Sequence, residues 1–230
     1  MENQNEPVIT TNQPGIRSGK ENGVLDTVAK VISVLFHPVF MPLLGFWLMF
    51  SAETEIRDLT DPRVLQGIYL LLMVLIAAPV LSTLVLYSFR FIRSMDLQNP
   101  KERLSPFLTT FLFYAMAYYM LAKGKAYIHP VVFSAFSGAL SCMALGLLIT
   151  LRYKISMHAM SVAGVAGMLY ALTDVVFYRH HEVIAVVMAA IGVVGAARVI
   201  RKVHSVDQVF LGALAGFVFQ YLFVRYGWSF

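Results

Sequence analysis

The chain has 230 residues, 58% of them hydrophobic and only 13% charged, with a net charge of +5 and a mean hydropathy of +0.70. A soluble domain is nearer half apolar and a quarter charged, so this composition excludes a single soluble core, a disordered chain and a nucleic-acid-binding domain. The one cysteine, Cys142, excludes an intrachain disulfide framework, and the length fits one domain of six or seven membrane spans joined by short loops.

Residues 1–27 are polar and lack the apolar core of a signal peptide, so they are expected to form a disordered tail ahead of a membrane domain over 28–230. The first apolar run, 28–50, contains His37-Pro38 and Pro42, which predicts a kink. The second is 67–91. The third, 106–121, is short and rich in Phe and Tyr. The fourth, 130–151, ends at Arg152-Tyr153-Lys154, and the fifth, 155–177, opens on polar residues. The sixth is 183–200, and the seventh, 209–224, ends near Trp228, an aromatic expected at a membrane interface. A helix of about 20 residues spans roughly 30 Å of hydrocarbon. The fold class is therefore all-α, a polytopic membrane helix bundle of six to seven transmembrane helices. Ala159, Ala163 and Gly167 share one face of the fifth run, and Gly212 and Gly216 form a GxxxG on the seventh. Small residues at this spacing let helices pack closely in lipid, which is the role expected of them.

In a seven-helix alternation the loops after the second, fourth and sixth spans fall on one face of the membrane. They hold Arg90, Arg93, Asp96, Lys101, Glu102 and Arg103; Arg152, Lys154, Ser156 and His158; and Arg198, Arg201, Lys202, His204, Asp207 and Gln208. Several cations suit the spread charge of a phosphate or diphosphate. One histidine can attack phosphorus while another protonates the leaving oxygen. Metal hydrolysis would need more carboxylate or histidine ligands than these loops offer, so the chemistry expected is metal-free, with no cofactor. Lys and Arg also flank membrane helices by default. That reading is preferred for Arg201 and Lys202, whereas spacing favours a role for Arg198, His204 and His158. His37 is read as a cap on the broken backbone, Asp174 as a helix-end residue reaching water, and 179–182 as an exposed loop on the opposite face.

These residues resemble the motifs of the type 2 phosphatidic acid phosphatase (PAP2) superfamily. The family's third motif is Ser-Arg, five residues, His, three residues, Asp. This chain reads Ala197-Arg198, five residues, His204, three residues, Gln208, with Asp207 one place early. Gly212 and Gly216 follow it, as in the family. The second motif, Pro-Ser-Gly-His, is Ile155-Ser156-Met157-His158 here, retaining Ser and His. Of the first motif, Lys, six residues, Arg-Pro, only Arg103 is in register; Asp96 holds the Lys position, and Lys101 and Pro106 lie nearby. The resemblance spans residues 90–220 and implies a PAP2-like core in a divergent bacterial-type member of the inner membrane. It implies that His204 is the nucleophile of a phosphohistidine intermediate and His158 the proton donor. Arg198, Arg103 and Ser156 would hold the phosphate, with Lys154 or Lys101 standing in for the missing lysine. The family Asp orients the nucleophilic His, and Gln208 or Asp207 would have to serve here.

A site at a bundle mouth suits a membrane lipid: phosphatidic acid, phosphatidylglycerol phosphate or a polyprenyl diphosphate. The expected function is hydrolysis of such a lipid. The alternatives are a catalytically degenerate relative that binds lipid phosphate or a partner, and a transporter that admits an anionic head. The positive-inside rule puts the motif face in the cytoplasm, but the balance becomes near even once Lys101, Arg103, Lys154 and Arg198 are set aside for phosphate.

Overall fold

Hydrocarbon offers no partner for a backbone N–H, so a chain this apolar must close its hydrogen bonds within helices. The computed structural model describes residues 19–51, 55–91, 100–123, 128–176 and 178–229; the side chains of 19–22, 55 and 100–103 lie outside the description. Among the described residues the elements are helical. They are α1 (Gly19–Leu35), a 3-10 turn (Pro38–Phe40), α2 (Met41–Ser51), the single turn α3 (Glu55–Asp58), α4 (Pro62–Ser88) and α5 (Pro100–Lys123). These are followed by α6 (Pro130–Thr150), α7 (Met157–Val175), α8 (His181–Ile200) and α9 (Val206–Arg225).

Six segments are long and apolar enough to cross a bilayer: Gly23–Ser51, Pro62–Ser88, Leu104–Lys123, Pro130–Thr150, His181–Ile200 and Val206–Arg225. They are those of a multi-pass membrane protein. The remaining long helix, α7, is the bundle's centre, with Ala159, Val162, Ala163, Ala166, Leu169 and Leu172 all at 1% exposure or less. Its most extensive neighbour is α9. Glycine sets their distance. A Cβ on Gly216 would fall inside the Met160 carbonyl of α7, and one on Gly212 would lie 2.6 Å from the Ser156 carbonyl oxygen. The small residues therefore serve helix packing, as expected. Outward faces carry Leu70, Met73, Leu81, Leu112, Val186 and Leu214, which lipid accepts and water would not.

The expected kink in the first span is a full break at 36–40. Pro38 has no N–H to continue the ladder, and the His37 N–H turns to the Val34 carbonyl at 3.2 Å. The His37 Nδ1 then accepts from Val39 N at 3.3 Å, opening the 3-10 turn. His129, also before a proline, caps α6 in the same way through Val131 N.

Two boundaries differ from expectation. Residues 19–27, read as part of a disordered tail, belong to α1; residues 1–18 lie outside the described residues. Helix α1 lies along α8 and buries Ala29 and Ser33 beyond that stretch, whereas 23–27 stay exposed and Asp26 pairs with Arg201 at 3.6 Å. Helix α5 starts at Pro100, not Pro106, so Lys101 and Arg103 stand in its first turn.

Candidate functional site

The site grows from the contact between the start of α7 and the start of α9. Ser156 is fully buried and caps α7, its Oγ accepting from Ala159 N at 3.4 Å. Its own N–H donates to the Gln208 carbonyl at 3.1 Å, and its carbonyl rests on Gly212. The loops 151–156 and 201–205 therefore meet, as the topology predicted. Lys154 Nζ donates to the Val203 carbonyl, and the Tyr153 hydroxyl donates to Asp207. That hydrogen bond, with lesser help from burial and the carboxylate's charge, pushes the Tyr153 phenol above its ordinary range.

The end of α8 folds back in a tight C-terminal turn. Lys202 takes the left-handed conformation (φ 52°), the Lys202 N–H bonds the Val199 carbonyl at 2.8 Å, and Val203 N–H bonds the Arg198 carbonyl at 3.1 Å. His204 N–H reaches the same carbonyl at 3.3 Å. The turn thus ties His204 to the backbone of Arg198, and accounts for Lys202 without a role in binding. Arg198 itself is 9% exposed, the one buried charged residue among the described residues. Desolvating a guanidinium costs several kcal/mol, which the rest of the bundle must offset.

His204 Nδ1 lies 3.1 Å from Gln208 Oε1, which also receives the Ser205 N–H at 3.4 Å. An amide oxygen only accepts, so the shared bond requires the proton on Nδ1. In the neutral ring Nε2 then carries the lone pair. Gln208 sits at the third position of α9 in a Ser-x-x-Gln capping arrangement, so one side chain both closes the helix start and orients the histidine.

His158 Nε2 is 3.1 Å from the Ser33 carbonyl oxygen, and its ring stands edge-on to His37 with centroids 5.3 Å apart and planes at 86°. Arg198, His37 and His204 are the groups whose fields reach it. His158, His204 and Arg198 are therefore gathered at one end of the bundle.

Other expectations fare differently. Asp207 does not supply the charge for His204: its carboxylate is taken by Tyr153 on the exposed side, one residue along the helix from Gln208. A step of about 100° around a helix separates the two side chains. Ser156 Oγ caps α7 as an acceptor, which leaves its own O–H to donate. The side chains of Lys101 and Arg103, and all of Asp96, lie outside the described residues. His37 caps its turn, as read from the sequence, but its contact with His158 was missed. So was Ser33, which meets His158 across 125 positions of chain. No local pattern signals either contact.

An apolar groove of about 300 Å³ runs between α2, α7 and α8 from the broken turn toward Leu48, Glu182 and Val183 at the far end of the bundle; His158, Arg198 and His204 do not line it. Its lining includes Phe36 and Met41, which bracket the broken turn, together with Leu44, Val162, Val165 and Val187. At the far end of the bundle, Asp174 pairs with Arg225 at 3.2 Å, and His180 with Glu182 at 3.0 Å. All four side chains are exposed to 42% or more. Among the described residues no three His, Cys, Asp or Glu side chains gather in a metal-binding group.

No protein-family profile, curated protein or solved structure matches the chain.

Proposed function

We propose that the chain is an integral membrane phosphatase, PAP2-like in its core, that hydrolyses a lipid phosphate or polyprenyl diphosphate through a phosphohistidine. The supporting observation is that His204, oriented by Gln208 and tied to the Arg198 backbone, stands at the same end of the bundle as buried Arg198 and His158. The His204 Nε2 lone pair attacks phosphorus as the ester P–O bond breaks. The departing oxygen takes a proton from His158, whose imidazolium the bound phosphate's negative charge stabilises against burial and the nearby Arg198. Water then attacks the phosphohistidine and gives its proton to neutral His158; the P–N bond breaks and its electron pair returns to Nε2. Arg198 stabilises the charge gathering on the phosphoryl oxygens. The outward faces of the helices are apolar, so the lipid keeps its tail in the bilayer while its head meets the basic cluster. The motif resemblance supports a bacterial inner membrane as the enzyme's location. The test is phosphate release from phosphatidic acid and a polyprenyl diphosphate in detergent, with wild type and His204→Ala.

A second reading, a degenerate relative that binds lipid phosphate without hydrolysing it, draws on Gln208 and Ala197. His204 has a neutral amide where the family has a carboxylate, and charge-assisted bonds are about twice as strong as neutral ones. Binding that persists in His204→Ala and falls in Arg198→Ala, without phosphate release by wild type, would select it.

A further inference from the structure

In a continuous helix the Ser33 carbonyl would accept the N–H of His37, four residues on. The break removes that donor, because Pro38 leaves the Val34 carbonyl open and His37 N–H turns to it instead. The Ser33 carbonyl, buried and released from its ladder, faces α7 and meets His158 Nε2 at 3.1 Å. A carbonyl only accepts, so Nε2 must be the protonated nitrogen. The His37 ring, fixed through Nδ1 to Val39 N, closes one side of His158 edge-on. Helix α1 is itself held on α8 by packing and by the pair between Asp26 and Arg201.

We infer that the broken first helix belongs to the site: Ser33 and His37 position His158, holding its Nε2–H and leaving Nδ1 as the atom that exchanges a proton with the reacting group. This rests on the phosphatase reading for the identity of the reacting group. The two histidines are then held in opposite senses. His204 is held at Nδ1 and reacts at Nε2, whereas His158 is held at Nε2 and transfers the proton at Nδ1. The Ser33 carbonyl favours the imidazolium that proton donation requires, against the larger opposing effects of burial and Arg198, so the phosphate's own charge must complete its stabilisation.

The test joins nitrogen NMR of histidine-labelled full-length protein with kinetics. The His158 signals are identified by their loss in His158→Gln. Wild type is expected to carry the proton on His158 Nε2 in its neutral form. Pro38→Ala restores an N–H at the break, returning His37 N–H to Ser33 and releasing His158. The expected result is a mixture of His158 tautomers and a kcat for phosphate release about tenfold lower, a fraction of the 10²–10⁴ that acid–base catalysis supplies, with KM changed less than about twofold. His37→Asn, which can still cap Val39, should keep the tautomer and restore most of the rate lost in His37→Leu. A wild-type His158 protonated at Nδ1 would overturn the inference whether or not Pro38→Ala folds. So would a Pro38→Ala variant that folds with the tautomer unchanged. Nε2 protonation in a protein that releases no phosphate would uphold the positioning of His158 and remove the phosphatase reading instead.

Discussion

The two ends of the bundle both carry arginine, histidine and acid, but only one end buries its arginine. At the far end Arg225 and Asp174 keep side-chain exposures of 42% and 47%, and His180 and Glu182 are at 46% and 72%. Such pairs contribute about 0–1 kcal/mol, because water and salt screen them. At the other end Arg198 is 9% exposed and His158 is bonded to a carbonyl of another helix. Charge at a membrane surface is ordinary, and burial with directed partners is what marks the candidate site.

That contrast is broken most decisively by matched substitutions at the two ends. His204→Ala should lower phosphate release by about 10³-fold or more, as expected for a nucleophile. His180→Ala, measured in the same assay, should leave the rate within about twofold. Next, Arg198→Ala should lower kcat by about 10²-fold, the scale of a lost transition-state donor. Arg225→Ala should change unfolding stability in detergent by less than about 1 kcal/mol and leave kcat alone.

Packing sharpens the comparison further. Gly216→Ala forces a methyl against the Met160 carbonyl and should destabilise the bundle by about 1–3 kcal/mol in detergent unfolding. Gly192→Ala, whose methyl meets nothing within 4 Å, should stabilise α8 by about 0.5–1 kcal/mol. The smallest effect separates neighbours on α9. Gln208→Glu keeps the reach to His204 and adds charge, so the rate should rise about three- to tenfold. Asp207→Asn, whose side chain meets Tyr153 and Ser205 rather than His204, should change it less than about twofold, within the range of surface substitutions.

Much of the architecture was legible because it is written in local patterns. Long apolar runs placed the spans, His37-Pro38 placed the break, and Gly212 and Gly216 placed the close packing of α9. The spacing of Arg198 and His204, and the parity of the loops, anticipated which segments meet. What stayed hidden depends on three dimensions. Ser33 reaches His158 only because a broken ladder frees a carbonyl that happens to face α7. Asp207 and Gln208 are adjacent in sequence, and only the setting of α9 decides which one holds His204. Lys202 adopts a left-handed turn without the glycine that would have announced it. Residues 19–27 continue as helix ahead of the buried part of α1, although 23–27 stay exposed, and their polar composition does not announce it.

The central claim is that His204 is a nucleophile served by the buried cluster. Its most direct test is inorganic phosphate release from phosphatidic acid and a polyprenyl diphosphate, in detergent with chelator, by wild type and His204→Ala. The account predicts release that survives chelator in wild type and disappears in the variant. Release that continues undiminished in His204→Ala would contradict it.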